Sequence, residues 1–505
     1  MINEQDNLSQ LPKGWMWTSF EQISKDLRAG GTPSTKIKRY YENGTIPFVK
    51  IKDIVGSKKY LYDTRTKITE EGLRNSSAWL VPKGSLLYSM YASYGEPIIN
   101  KIEVATSQAI IAYIPPDSLM ALDYIYYYLK KIRPELTTRG TTQRNLNAQI
   151  VRNIPIPLPP FPEQARIVAE IDELFSKLDA GLESLKQVRT QLQRYRQTVL
   201  KHAFEGKLTK DWREAHKDEI EHSSVLLEHI KEERRKNAKR KYKELPPLAT
   251  FDLPKLPENW VWTRVGEISE TIQYGTSEKA GKDPTGIPVM RMGNIQNGKL
   301  IFDNLKYFPT EWPRLSDFVL QDGDVLFNRT NSAELVGKTA VYKKHYPKAV
   351  FASYLIRVRT NKNTYDPDIL AFFINSFYGR KYIASVVSQQ VGQANVNGTK
   401  LSLMSIPLIP PLEQCKIVEE IERSFSVTDH AEKLVEQSLK QAERLRQSIL
   451  KKAFEGKLVA QDPTDGSAKK LLERIKEERE RSKAGDKTEK SESSPKQMEL
   501  VRYVK

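Results

Sequence analysis

Two copies of a Glu-Gly-Lys triplet come closest to a catalytic signature in this sequence. Glu205-Gly206-Lys207 and Glu455-Gly456-Lys457 match the Glu-x-Lys half of a metal-dependent nuclease site. Such a site also needs an aspartate that shares the metal ion, and the Pro-Asp pairs at 116–117 and 367–368 lie nearly ninety residues upstream. Both triplets follow long helical patterns, where glycine is typical of a left-handed C-terminal cap. The cap is the favoured interpretation, and the nuclease site is the alternative.

Other signatures of catalysis or cofactor binding are incomplete. Gly337-Lys338-Thr339 resembles the end of a phosphate-binding loop, but Ser332 stands where that loop requires its first glycine. The six histidines show no ligand spacing, and a single cysteine argues against structural zinc. The chain has no glycine fingerprint for a dinucleotide or S-adenosylmethionine, and no Asn-Pro-Pro-Tyr motif. We therefore expect no catalytic residue and no metal site.

Side chains that can hydrogen-bond to DNA gather in the loops instead. Residues 28–34 and 274–277 combine glycine, threonine and serine, and glycines there would let backbone amides approach phosphate oxygens. Residues 89–94 and 328–332 add tyrosine, arginine and asparagine, and the last two can distinguish guanine and adenine in the major groove. An ordinary turn is the alternative for each residue. The candidate DNA-binding residues are Arg28, Gly31, Thr32, Ser34, Lys36, Lys50, Lys52, Ser89, Tyr91, Tyr94, Arg144, Tyr274, Thr276, Arg291, Asn294, Asn328, Arg329 and Asn331.

These loops belong to a sequence that repeats itself after about 250 residues. Trp15-x-Trp17 returns as Trp260-x-Trp262, and Glu163-Gln164 returns as Glu413-Gln414. The two copies share this skeleton but differ in most loop side chains. That pattern predicts one frame that presents two different recognition surfaces. The shared segments 143–147 and 393–397, both Gln-x-Asn-x-Asn, are accordingly expected to be structural or to face phosphates.

Composition favours a polyanionic partner and a reducing compartment. The net charge is +17, with 21 Lys and Arg against 14 Asp and Glu in residues 1–160, and 19 against 14 in residues 252–410. The single cysteine, Cys415, excludes an intramolecular disulfide and is expected to pack at a helix start. We found no run of the ~18–20 apolar residues that a membrane span needs and no signal peptide. The expected location is the cytoplasm.

The elements that must position the loops follow the same repeat. Short alternating runs such as 46–51 and 287–292 predict strands, and 123–131 and 368–378 predict helices, so each copy is expected to be a mixed α/β domain. A Pro-rich segment closes each domain, at 155–160 and 407–411.

About 40 residues with no proline then predict one long helix per copy. The first carries a heptad stripe beside Leu174, Val188 and Tyr195, and the pair is expected to act as a spacer between the domains. The residues assigned to spacing or partner docking are Leu178, Leu185, Leu192, Val199, Phe204, Val435, Leu445, Ile449 and Phe454.

A charged repeat, Leu-Leu-Glu-x-Ile-Lys-Glu-Glu-Arg, follows each long helix at 226–234 and 471–479 and is interpreted as a short solvated helix. Residues 482–497 have almost no apolar content and predict a disordered tail. The predicted division is 1–160, first domain; 161–208, first long helix; 209–255, charged helical linker; 256–411, second domain; 412–458, second long helix; 459–505, charged helix and tail.

These motifs together resemble one known family closely. The Trp-x-Trp opener, the Gly-Gly-Thr-Pro-Ser loop, the Pro-Pro-x-x-Glu-Gln helix start and the Ala-Phe-Glu-Gly-Lys-Leu helix end are similar to those of specificity subunits of type I restriction-modification enzymes, over about residues 11–480. The second domain departs from the pattern, since Tyr274-Gly275-Thr276 replaces the Gly-x-Thr-Pro-Ser loop.

The resemblance implies an α+β protein with two target recognition domains, two long antiparallel coiled-coil helices and a pseudo-twofold repeat. Each domain would read one half of a split DNA target. The helices would set the gap and dock two methyltransferase subunits, which bring S-adenosylmethionine, and motor-nuclease subunits, which use ATP and Mg²⁺, would join for cleavage. This chain itself would bind no cofactor and catalyse nothing. The alternative function is a protein-interaction scaffold with incidental basic surfaces.

Overall fold

The computed structural model describes residues 10–56, 58–90, 95–138, 147–237, 245–246, 248, 253–390 and 393–492. These residues form two compact units, one of residues 1–184 and 438–505 and the other of residues 185–437. Each unit therefore contains one domain together with one end of each long helix.

The first unit contains the residues predicted to form the first domain. Its elements are β1 (Met16–Ser19), β2 (Asp26–Ala29), β3 (Ile46–Val49), α1 (Ile51–Ile54), β4 (Tyr60–Leu61), β5 (Thr66–Ile68), α2 (Glu70–Arg74), β6 (Leu80–Val81), β7 (Leu86–Ser89), β8 (Pro97–Asn100), β9 (Val104–Thr106), β10 (Ile110–Ile114), α3 (Leu122–Thr138), α4 (Ala148–Arg152) and β11 (Pro155–Leu158). The strands form a five-stranded sheet ordered β2-β10-β7-β8-β4, a four-stranded sheet ordered β5-β3-β9-β6 and the pair β1-β11.

The second unit contains the residues predicted to form the second domain and the segment before them. The elements that follow β11 along the chain are α5 (Phe161–Phe204), α6 (Lys210–Ala215), α7 (Ser223–Asn237), β12 (Val261–Arg264), α8 (Val265–Ile268), β13 (Ser269–Tyr274), β14 (Ile287–Met290), β15 (Ile295–Gln296), β16 (Lys299–Leu300), β17 (Lys306–Phe308), α9 (Leu315–Phe318), β18 (Val325–Asn328), β19 (Thr330–Asn331), β20 (Thr339–Val341), β21 (Val350–Phe351), β22 (Leu355–Thr360), α10 (Pro367–Asn375), α11 (Phe377–Val386), β23 (Ser388–Gln390), β24 (Gln393–Asn395), α12 (Gly398–Ser402), β25 (Ser405–Leu408), α13 (Pro411–Phe454) and α14 (Ala468–Glu492). The helices α5 and α13 continue from one unit into the other, and α14 belongs to the first unit.

The two domains share one topology, which confirms the internal repeat. The sheet order β2-β10-β7-β8 recurs as β13-β22-β18-β20, and the parallel pair β3-β9 recurs as β14-β21. The registers make the equivalences explicit: Ser89 lies opposite Ile110, and Asn328 lies opposite Leu355. Positions in one domain can therefore be matched to positions in the other.

The Pro-rich segments are strands rather than simple stops. Residues 155–158 pair antiparallel with β1, placing Trp17 opposite Pro157, and Trp262 lies opposite Pro407 in the second domain. Proline is tolerated because each segment belongs to a two-stranded pair, in which not every backbone amide has to donate.

The predicted long helices are confirmed, and each has 44 residues, roughly 66 Å at 1.5 Å per residue. They run antiparallel within each unit. In the first unit Asp179 of α5 pairs with Arg446 of α13, and Arg166 near the start of α5 pairs with Asp465, which follows the end of α13. In the second unit Arg196 of α5 pairs with Asp429 of α13, and Arg213, which follows the end of α5, pairs with Glu413 near the start of α13. Moving forward along one helix thus means moving backward along the other, and the same Asp-Arg clamp occurs in both units.

The Glu-Gly-Lys triplets end the long helices as caps. Gly206 and Gly456 have φ of +68° and +67°, and the amides of Lys207 and Lys457 donate to carbonyls of the last helical turn. The preceding phenylalanines, Phe204 and Phe454, are buried in the domain cores. The cap interpretation is confirmed, and these two aromatic rings anchor the helix ends instead of docking a partner.

The heptad prediction was correct for one stripe and only partly correct for its companion, in which Leu174 packs half-buried against the first core. Leu178, Leu185, Leu192 and Val199 are half-buried or buried, but Val188, Tyr195 and Leu445 are 40%, 49% and 47% exposed. Polar residues such as Arg196 occupy positions that face the other long helix, because carboxylates such as that of Asp429 lie opposite them. Cys415, which was expected to pack, is also exposed.

The charged repeats are docked helices, so their interpretation as solvated was wrong. We call residues 205–237 and 455–492 the return segments. Ile230 in α7 and Ile475 in α14 are buried in the core of the unit to which each belongs. The tail prediction also fails in part, because α14 continues to Glu492; residues 493–497 lie outside the described residues.

An arginine of each return segment donates hydrogen bonds to the backbone of a turn near the start of a domain. Arg234 donates to the backbone oxygens of Glu267 and Ser269 at 2.9 Å each. Arg479 donates to the backbone oxygen of Glu21 at 3.2 Å. Since these turns lead directly into β13 and β2, the return segments position the strands that carry Tyr274 and Arg28.

Candidate nucleic-acid interface

Loops from several strands meet at one edge of the first domain. Gly31 donates its amide to Thr106 at 3.0 Å, Ser107 donates to Val49 at 3.1 Å, and Met90 donates to Ala109 at 2.8 Å. We call residues 30–36, 50–52, 89–90 and 107–109 the first loop face. Candidate residues from three separate parts of the sequence are therefore brought together.

The second domain builds the equivalent edge with the same bonds. Thr276 donates to Phe351 at 3.1 Å, and Ala352 donates to Met290 at 3.0 Å. Arg329 donates to Tyr354 at 3.0 Å, and Val396 donates to Arg329 at 2.9 Å. We call residues 274–277, 291–294, 328–331, 352–354 and 393–398 the second loop face.

Several candidates are buried and hold the frame, so the prediction that their side chains contact DNA was wrong. Ser89 and Asn328 are 0% exposed, and Thr276 and Asn294 are 3% and 4% exposed. The Ser89 hydroxyl accepts the Glu96 amide at 3.0 Å, and DNA cannot reach a side chain enclosed in this way.

Asn294 and Thr276 show what these buried side chains do. The Asn294 oxygen accepts the Arg291 amide at 2.9 Å, and its nitrogen donates to Ile301 at 2.9 Å. The Thr276 hydroxyl accepts the Glu278 amide at 3.2 Å. Both fix loop backbones next to groups that remain accessible.

The backbone amides of the loop glycines also donate hydrogen bonds within the domains. Gly30 and Gly31 donate to Ile110 and Thr106, and Gly275 donates to Leu355. A Cβ atom on Gly31 would lie 2.2 Å from the Ser77 hydroxyl oxygen, so glycine is needed there for close packing. The hypothesis that these amides approach phosphate oxygens is therefore wrong.

The accessible candidates of the first loop face are polar or basic. Ser34, Lys36 and Lys52 are exposed, while Thr32 and Lys50 are half-buried. The loop of residues 30–36 is anchored because the Tyr41 hydroxyl donates to the Pro33 carbonyl at 2.6 Å, and burial raises the pKa of Tyr41. The anchored loop holds its hydroxyl and ammonium groups outward.

Arg28 lies in strand β2 rather than in the predicted loop. Its guanidinium is stacked over the Trp79 ring, 3.8 Å from the centroid, and its side chain is 55% exposed. The Trp79 indole donates to Ala29 at 3.2 Å. Sequence reasoning missed Trp79, because nothing in the sequence signals that these two residues meet.

At one pair of equivalent positions, both domains carry a basic side chain. Lys50 and Arg291 each follow the central strand of the smaller sheet. The amide of each is held by a buried side chain three residues later, at 2.8 Å for Lys50 with Asp53 and 2.9 Å for Arg291 with Asn294. This shared basic position suits the DNA backbone, which is the same in every sequence.

Arg329 and Tyr274 form the centre of the second loop face. The Arg329 guanidinium lies over the Tyr274 ring, 4.9 Å from the centroid, and the Tyr274 hydroxyl accepts the Gly398 amide at 2.7 Å. Thr330 and Asn395 lie beside them, and Tyr354 is 45% exposed. Sequence reasoning named Tyr274, Arg329 and half-buried Asn331 as candidates and placed Thr330 in the same loop. It expected Asn395 to be structural or to face phosphates, and it missed Tyr354.

Two asparagines of the shared Gln-x-Asn-x-Asn segments lie at helix starts. Asn147 and Asn397 each cap a short helix at 2.8 Å, so these shared asparagines have a structural role, one of the two roles expected for them. Tyr91, Tyr94 and Arg144 lie outside the described residues. Among the residues that are described, no helix is long and apolar enough to cross a membrane, and no three His, Cys, Asp or Glu side chains could share a metal ion.

Comparison with known proteins identifies the family to which this duplicated architecture belongs. The family described as type I restriction modification DNA specificity domain matches residues 12–193 and again residues 257–441. The chain belongs to this family. The prediction that it is a specificity subunit, and not a catalytic subunit, is confirmed.

Individual relatives span nearly the whole chain. The EcoKI specificity subunit of Escherichia coli (strain K12) is 26% identical over 491 residues, which cover 93% of this chain and 96% of the relative. The StySPI specificity subunit of Salmonella potsdam is 26% identical over 492 residues, covering 94% and 97%. A solved chain from work on complex assembly and conformational transition of the type I R-M system has a TM-score of 0.65 at 19% identity, covering 89% of this specificity subunit and 100% of that chain. The last likeness supports the fold.

Proposed function

We propose that this specificity subunit reads a split duplex DNA target, with the first loop face on one half-site and the second loop face on the other. The observation that carries this proposal is one backbone frame with different side chains at matched positions. Strand register matches Ala29 with Tyr274, so the next-strand residues Met90 and Arg329 also correspond. Two such faces would recognise two different short sequences.

Charge supports duplex DNA as the partner. The chain has a net charge of +17, and both loop faces carry basic side chains. Neutralising phosphates releases condensed counterions, so the logarithm of affinity is expected to fall linearly with the logarithm of salt concentration. Sequence-selective, salt-sensitive binding would exclude the alternative function, a protein scaffold with incidental basic surfaces.

The proposed protein partners are two adenine methyltransferase subunits and, for cleavage, motor-nuclease subunits. Tyr195 and Leu445 occupy equivalent positions on the long helices and are 49% and 47% exposed. Apolar side chains exposed at two equivalent positions suit two copies of one partner. In this proposal S-adenosylmethionine belongs to the methyltransferase, ATP and Mg²⁺ belong to the motor-nuclease, and the complex works in the cytoplasm.

Exchanging one domain tests the assignment of one half-site to each domain. Residues 11–155 would be replaced by the corresponding residues of another specificity subunit, and the methylated sequence would be determined in cells. Only one half of the target should change, because the second loop face is untouched. A change in both halves would contradict the proposal, and the reciprocal exchange of residues 256–405 is the matched control.

A further inference from the structure

We propose that Arg329 reads a guanine in the half-site of the second domain, and that Tyr274 holds the guanidinium in place for this contact. The inference rests on the proposed function, since it requires that the second loop face meets the major groove. It adds the residue that determines one base and the base that it selects.

The backbone of Arg329 is fixed on both sides. Its amide donates to Tyr354 at 3.0 Å, and its carbonyl accepts the Val396 amide at 2.9 Å. It lies between the buried strand β18 and the short strand β19. A side chain that starts from a backbone held in this way can present its head group with little loss of entropy.

Tyr274 provides a platform for the guanidinium. The Arg329 Cζ lies 4.9 Å from the ring centroid, and the ring is fixed because its hydroxyl accepts the Gly398 amide at 2.7 Å. An arginine stacked on an aromatic face keeps its hydrogen-bonding edge free. The ring is 41% exposed, so the pair is open to solvent on one side.

The donors of Arg329 are poorly used within the described part of the chain. The one hydrogen bond that its guanidinium makes to a described residue goes to the Ser353 carbonyl at 3.4 Å, and the Nε atom is buried with no partner among the described residues. Other arginines of this domain are neutralised: Arg359 pairs with Asp324, and Arg314 pairs with both Glu278 and Asp317. Arg329 therefore holds charge and donors that a ligand can use.

Guanine is the base that fits a free guanidinium edge. Its O6 and N7 atoms are two adjacent acceptors in the major groove, and paired donation from arginine to them is the commonest specific contact in protein–DNA complexes. The neighbouring Asn395 side chain donates to the Thr330 hydroxyl at 2.9 Å, so its amide is less available for adenine. The first domain has Met90, 2% exposed, at the equivalent position; this contact therefore belongs to one half-site.

The test measures binding of the complete methyltransferase complex to a panel of duplexes. Each base pair of the second half-site is changed singly, and the wild-type complex is compared with Arg329→Ala, Arg329→Lys and the control Arg314→Ala. In the wild type, replacing the guanine should weaken binding by about five- to 150-fold. In Arg329→Ala that penalty should vanish at this one position and remain elsewhere, while Arg314→Ala should keep every penalty.

The other outcomes overturn the inference. A uniform loss over all duplexes, with a salt slope reduced by about one, would make Arg329 a phosphate contact. Unchanged penalties would exclude any role in reading. If neither Arg329→Ala nor Arg329→Lys binds DNA, the residue serves the fold and not the recognition. A wild-type target whose second half has no guanine would refute this inference alone, whereas a wild-type complex with no split target would refute the proposed function.

Discussion

At the residue scale, each unit contains a hydrogen bond from a tryptophan to a glutamate, and the two glutamates differ in their other partners. Trp15 donates to Glu163 at 2.9 Å, and Trp260 donates to Glu413 at 2.7 Å. Glu413 is 0% exposed and also accepts from Arg213 at 2.9 Å. The paired motifs were visible in the sequence, but the ion pair that distinguishes them was not, because Arg213 lies two hundred residues away in the chain.

Glu413→Gln should destabilise the second unit by about 3 kcal/mol, because it leaves the Arg213 charge in a largely buried position without its carboxylate. The free energy of unfolding of each unit can be followed by hydrogen exchange. Glu163→Gln is the matched control, and it should cost less, since the Gln oxygen can still accept from Trp15. Equal losses of stability in the two variants would contradict the role given to the Arg213–Glu413 ion pair.

Glu163 should also give the first unit a pH dependence. Burial raises the pKa of its carboxyl, so in the folded state it keeps its proton to a higher pH than in the unfolded chain. Its contribution to stability is therefore lost as pH rises from the ordinary carboxyl pKa through the raised one. Glu163→Gln cannot titrate and should flatten that part of the stability–pH curve of the first unit, as measured by hydrogen exchange. An unchanged curve would show that another group is responsible.

Base-reading residues could not be separated from structural ones by sequence alone. Ser89 and Asn328 have the chemistry to read DNA, but neighbouring backbone strands enclose them. Residue type gives the capacity to hydrogen-bond, whereas the tertiary fold decides whether a backbone amide or a solvent molecule takes that bond. The same limit hid Trp79 and Tyr354, whose roles depend on partners from distant strands.

At the scale of elements, the repeat predicted most of what the structure contains. The strands, the long helices and their glycine caps follow from hydrophobic period and from residue types with fixed conformational preferences. The return segments were misread because their charge is high. In α14 an apolar stripe of Leu471 and Ile475 is enough to dock the helix, although charged residues surround it.

The caps give a prediction at this scale. Gly206→Ala and Gly456→Ala should each destabilise the adjoining unit by about 1–3 kcal/mol, since both glycines are left-handed. A Cβ atom would also lie 2.2 Å from the Cγ atom of Pro257 or Pro12. Gly181 is the control, because it lies inside α5 with nothing within 4 Å of an added Cβ, and Gly181→Ala should stabilise by about 0.5–1 kcal/mol. Thermal unfolding of the three variants would check the opposite signs.

Truncation tests the docking of the second return segment. Ending the chain after residue 466 removes Leu471, Ile475 and Arg479 from the core and opening turn of the first unit. Hydrogen exchange should then accelerate in residues 15–29 and not in residues 260–274. Ending the chain after residue 482 keeps these contacts and is the matched control. Equal protection in both truncated chains would show that α14 does not support the first domain.

At the scale of the whole molecule, the long helices are expected to fix the distance between half-sites. Deleting residues 185–191 and 435–441 removes one heptad from each helix, roughly 10 Å of length. The deletions lie between the clamp pairs Asp179–Arg446 and Arg196–Asp429 and so leave both intact. The unread gap of the target should shorten by about three base pairs. An unchanged gap, read from the methylated sequence, would mean that the helices do not set the spacing.

Methylation-aware sequencing of host DNA with and without this gene tests the central claim most directly. The account predicts that one motif of methylated adenines, divided into two short halves by a gap of fixed length, disappears when the gene is removed. Restoring the gene should restore that motif. A methylome that is the same with and without the gene, or a lost motif that is continuous, would contradict the account.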